Sequence, residues 1–107
     1  MILDTEDQNE VPEATEADIR DAIARLTSIA RRRWAVLKVR PHVYIQCYIH
    51  SDGLLDVQYR DGGPGRHYSS PYRQPKDTVT DAFLSYLYED NRWRTAFEWK
   101  REPEEDQ

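Results

Sequence analysis

Cysteine is nearly missing from this 107-residue sequence. The single Cys47 excludes an internal disulfide and any cysteine-rich zinc site. Only four glycines are present, and three of them crowd into one stretch, YRDGGPGRHYSSPY, residues 59–72. No apolar run approaches the roughly 20 residues that span a bilayer. The opening MILDTEDQNE lacks the basic start and apolar run of a secretory signal. These absences lead us to expect a soluble, cytoplasmic protein. The length suits one domain, since domains commonly run to roughly 100–150 residues, with one modest core burying about 60–70% of the unfolded surface.

Catalytic motifs are missing too. His42, His50 and His67 show no H-x-E, H-x-H or H-E-x-x-H spacing, so no metal site is expected. Ser69 and Ser70 lack a G-x-S-x-G setting. No two carboxylates share an apolar environment that would separate their pKa values. Cys47 falls on an apolar strand face, where a thiol behaves as a small hydrophobe rather than a nucleophile. The glycine cluster lacks the Gly-Lys-Ser/Thr ending and following helix of a phosphate loop, and the G-x-G-x-x-G of a dinucleotide loop. Its glycines and prolines are turn chemistry, and it reads as a hairpin turn. We expect no catalytic residue, no cofactor and no metal.

What is present is charge, unevenly placed. The net charge is −5, yet residues 1–18 hold seven acids and no base, and residues 101–107 hold four acids against Arg101. Residues 19–100 carry nine acids and fourteen bases, a net of +5. Acidic polar ends of this kind stay solvated. The expected organisation is a disordered acidic tail over 1–13, a single domain over 14–100, and an acidic C-terminal tail over 101–107. The alternative is a tail folded back on a basic site of the body.

Thr15, with Asp18 three residues on, caps a helix as a variant capping box. Ile19, Ala22, Ile23, Leu26, Ile29 and Ala30 then form one apolar stripe, with Arg31 to Arg33 placed in the last turn. From Trp34 the period becomes two. WAVLKV, VYIQCYIH and LLDVQYR are joined by turns short enough for hairpins. Closing them pairs Val39 with Val43, Leu37 with Ile45, Ala35 with Cys47, Ile49 with Leu55, Cys47 with Val57, and Ile45 with Tyr59. That face is wholly apolar or aromatic, and a one-residue slip would mix the faces. RHYSS predicts a fourth strand, ended by Pro71 and Pro75. A second helix begins near Asp77 or Thr78 with Val79, Ala82, Phe83, Tyr86 and Leu87 on one stripe and Asn91 left-handed at its end. The alternation of Trp93, Thr95, Phe97 and Trp99 suggests a fifth strand, although Trp93 and Phe97 also fit helical spacing. The expected fold is α+β: an antiparallel meander of four to five strands with two helices on one face, in the order α-β-β-β-β-α-β.

The register that buries one face projects Trp34, Val36, Lys38, Tyr44, Gln46, Tyr48 and His50 from the other, joined by Asp56, Gln58 and Arg60. Tyr, Trp and Arg dominate binding hot spots, and cross-strand pairs also stabilise sheets in their own right. The candidate partner-binding residues are Trp34, Tyr44, Gln46, Tyr48, Asp56, Gln58 and Arg60. Single-stranded nucleic acid can stack on such a face, but the RNA-recognition pattern is absent and the acidic ends repel phosphate.

Three short motifs carry a resemblance: Tyr44-Ile45-Gln46, Tyr59-Arg60-Asp61-Gly62 and Trp99, over roughly 34–100. With them the chain resembles small bacterial polymorphic-toxin immunity proteins of the Imm1-like kind, with Gln58 standing where a Glu is expected. Its element order also resembles small secretion-chaperone-like domains. The first resemblance implies a cytoplasmic, non-catalytic protein that binds and blocks a toxin. The second implies a chaperone gripping a client peptide. Neither supplies an inhibitory residue, so the partner-binding residues rest on the sheet-face argument. The partner expected is another protein, and a small enzyme is the remaining alternative.

Overall fold

The computed structural model describes residues 1–7 and 10–102. Six strands form one antiparallel sheet in chain order: β1 (Ile2–Thr5), β2 (Trp34–Arg40), β3 (Val43–Ile49), β4 (Leu55–Asp61), β5 (His67–Ser69) and β6 (Lys100–Arg101). Helix α1 (Glu16–Ala24) joins β1 to β2, while α2 (Lys76–Leu87) and α3 (Arg92–Ala96) lie between β5 and β6. Alternation of side chains puts Leu3, Ala35, Leu37, Ile45, Cys47, Ile49, Leu55, Val57 and Tyr59 on one face. All are buried in a single cluster with Ile19 and Ile23 of α1, Val79 and Phe83 of α2, and Trp93 of α3. The helices therefore share that face and leave the other uncovered. The α+β class holds, with six strands and three helices among the described residues rather than four to five and two.

The central register follows the hydrophobic pattern: Leu37 faces Ile45, Ala35 faces Cys47, and Cys47 faces Val57. One pair departs from it. Arg40, not Val39, faces Val43, and the ladder slips between Lys38 and Arg40. The turn holds two residues, Pro41 and His42, with His42 left-handed at φ 68°. That is one residue fewer than the expected three, so a bulge at Val39 must absorb the extra residue to restore the core register. Val39 is 40% exposed as a result.

Five further expectations are corrected. The N-terminal segment is not wholly a tail: Ile2–Thr5 pairs with β2, and Leu3 and Val11 exchange backbone hydrogen bonds of 2.9 and 2.8 Å. Burying Leu3 and the β1 ladder outweighs an acid-rich composition. Helix α1 ends at Ala24, and Ile29 is 92% exposed. Leu26 N–H donates to Ile23, and Thr27 N–H turns to Arg32, while the Lys76 ammonium takes the Ala24 and Leu26 carbonyls at 2.8 and 2.9 Å. Arg31 to Arg33 therefore lie beyond the helix. The left-handed residue after α2 is Glu89 (φ 59°), and Asn91 has φ −104°. Residues 92–96 are helical rather than extended, an arrangement that buries Trp93 and Phe97 while leaving Thr95, which a strand would turn inward with them, exposed. Trp93 packs edge-on against Tyr59 and Tyr86 at 4.7 and 5.2 Å. At the C-terminus Arg101 belongs to β6, and residues 8–9 and 103–107 of the expected tails lie outside the described residues.

Candidate functional site

The ladders arrange the uncovered face in rows. Trp34, Tyr48 and Asp56 stand side by side across β2, β3 and β4. The next row is Val36, Gln46 and Gln58, and the third is Lys38, Tyr44 and Arg60. Strand β1 adds Asp4 beside Val36 and Ile2 beside Lys38. Strand β5 adds Ser69 beside Gln58 and His67 beside Arg60. Sequence reasoning missed these flanking residues. The alternation of ILDT was the signal, obscured by the acids around it.

Five of the seven proposed contact residues converge. Trp34, Gln46, Tyr48, Asp56 and Gln58, with Val36 and Cys47, line a shallow cavity of about 440 Å³. Tyr44 and Arg60 lie one row away, and Arg60 Nε turns back to donate to the Gly62 carbonyl at 3.0 Å. The polar side chains of the face are partly tied together. Gln46 Nε2 donates to Gln58 Oε1 at 2.6 Å, and His67 Nε2 lies 3.2 Å from the same oxygen. His50 Nε2 lies 2.6 Å from Asp56 Oδ2, with its ring edge-on to Tyr48 at 5.4 Å. His50 and His67 are thus engaged by different partners, Asp56 and Gln58.

Beside Tyr48, Arg33 forms a two-oxygen pair with Glu6, whose side chain is 14% exposed. Hydrogen bonds from the Arg33 side chain and backbone hold the Glu6 carboxyl down at about 2, and the same pairing raises the Arg33 guanidinium. The acidic N-terminal segment thus meets the basic body here, and Asp7 lies 4.0 Å from Arg25. On the opposite face, burial pushes the Cys47 thiol up to about 12, which disfavours the reactive thiolate. Ser69 donates to Glu102, and Ser70 donates to the Tyr72 carbonyl. On α2, Leu84 is buried and widens the core stripe, whereas Tyr88 is exposed and donates to Glu16 of α1 at 2.6 Å. Among the described residues, no three His, Cys, Asp or Glu side chains gather as a metal site, and no helix is long and apolar enough to cross a membrane.

These features define an α+β protein whose antiparallel sheet is covered on one side and carries an aromatic cavity on the other. No protein-family model, curated protein or solved structure matches the chain.

Proposed function

We propose that the protein is a non-catalytic binding module of the cytoplasm that docks a partner protein on its uncovered sheet face. Within that role it acts as an immunity- or antitoxin-like inhibitor that blocks its partner by occlusion. The observation that carries this reading is the aromatic cavity on a sheet face that no helix covers. Strand spacings of about 4.8 Å and 3.4 Å per residue give the face a projected area on the order of 500 Å². That is the same order as the roughly 800 Å² each partner contributes to a standard interface. Trp34 and Tyr48 bring large apolar area with few rotatable bonds, the type of side chain that anchors interfaces. The Gln46–Gln58 pair is already hydrogen-bonded, which lowers the entropy lost on docking. A rigid sheet held in a packed core suits blocking a folded surface better than adapting to many flexible clients.

The test is affinity purification from the native cells, comparing wild type with Tyr44→Ala/Tyr48→Ala after circular dichroism shows both folded. One stoichiometric partner lost from the variant is the expected result. Several unrelated clients on the wild type would favour the secretion-type chaperone. A partner retained in full by the variant would sink this docking face.

A further inference from the structure

We propose that the cavity receives an arginine side chain of the partner, with its guanidinium against Trp34 and Tyr48 and hydrogen-bonded to Asp56. The inference rests on the docking reading above and names the chemistry of its central contact. Of the seven residues lining the cavity, Asp56 is the one Asp, Glu, Lys, Arg or His. The cavity therefore selects a cation, and its aromatic walls suit one with a flat face. Guanidinium stacks on aromatic rings and carries five donors in a rigid fork, whereas an ammonium is a compact and more strongly hydrated charge.

The hydrogen bonds leave acceptors for such a group. His50 engages Asp56 Oδ2, so Oδ1 remains. Gln46 donates through Nε2, so its Oε1 remains. Among the described residues, no Lys, Arg or His lines the cavity, and Arg60 is turned to the Gly62 carbonyl. Arg33, which reaches Tyr48, is held in its pair with Glu6 and does not line the cavity.

The same three-part arrangement occurs, complete, elsewhere in this molecule. The Arg94 guanidinium lies 4.5 Å from the Trp93 ring centroid and 5.8 Å from that of Tyr59, with Asp61 4.0 Å away. There an aromatic pair and a carboxylate hold an arginine from within the chain. On the open face, Trp34, Tyr48 and Asp56 offer the corresponding set to an arginine from outside.

The experiment is a nuclear magnetic resonance titration of the full chain with Nα-acetyl-arginine amide, its neutral citrulline counterpart, and the lysine amide. We expect the arginine probe to shift the Trp34 indole and Tyr48 signals, with half-saturation on the order of 1–10 mM for so small a ligand. Citrulline should leave these signals in place, lysine should bind more weakly, and Asp56→Asn should weaken arginine about tenfold, a fold-change worth ~1.4 kcal/mol. Equal binding of citrulline, equal binding of lysine, or an unchanged affinity in Asp56→Asn would overturn the proposal. Capture of the partner separates this inference from the reading beneath it. If Tyr44→Ala/Tyr48→Ala loses the partner while Asp56→Asn and added arginine amide leave it bound, docking stands and the arginine contact falls.

Discussion

Single side chains join parts of this chain that lie far apart in sequence. Glu6 binds the Arg33 backbone N–H at 2.9 Å as well as the guanidinium, across 27 positions. Its carboxyl is held at about 2 against an ordinary 4.5. A depressed folded-state pKa contributes stability that is complete above about pH 4.5 and is lost as pH falls toward 2. Glu6→Gln should therefore lower the urea midpoint at pH 7, and the gap to wild type should close between pH 4.5 and 2. Parallel curves through that window would remove Glu6 from the acid response. Ser85 ties two elements together over a shorter span, α2 to the start of α3. It is fully buried on α2, donates to Asp90, and accepts the Trp93 backbone N–H at 3.0 Å. Ser85→Ala strands that N–H in the core and should cost about 1–3 kcal/mol in chemical denaturation. Neither role shows in the sequence, where Ser85 is one polar residue on an amphipathic helix.

Among the elements, β2 to β4 were the most legible. Their faces are so unlike that only one register buries the apolar set, and Leu37, Ile45 and Val57 landed accordingly. Helix ends were less legible because their partners come from elsewhere. The start of α1 is local, with the Thr15 and Asp18 capping box formed as the spacing suggests. Its end depends on Lys76, about 50 residues away, whose ammonium satisfies two carbonyls. Hydrogen bonds from a charged donor contribute about 1.5–3 kcal/mol at most, and water partly replaces this one. Lys76→Met should therefore destabilise the fold by about 1–2 kcal/mol by urea titration and speed amide exchange at Leu26 and Thr27. Unchanged exchange there would mean that α1 ends without its help.

For the whole molecule, the two sheet faces predict opposite responses to truncation. Leu37 is completely buried among the helices, so Leu37→Ala should cost about 2–5 kcal/mol. Tyr48 is 40% exposed on the uncovered face and on truncation loses cross-strand contact, the edge-on His50 ring and the reach of Arg33. Tyr48→Ala should cost less than about 1 kcal/mol while abolishing partner capture. Equal losses of stability would mean that Tyr48 serves the fold rather than binding.

By itself the sequence determined the α+β class and, apart from the bulged turn end of β2 at Val39, the register of the three long strands and which of their residues face outward. Those follow from periodicity along neighbouring residues, which a linear chain displays. Only the tertiary structure decided that Ile2–Thr5 joins the sheet, that α1 stops at Ala24, and that 92–96 coils rather than extends. It also decided that five of the seven candidate contact residues surround one cavity. Each of these outcomes is set by partners brought together when the core closes, which a local pattern such as the short alternation of ILDT could suggest but not decide.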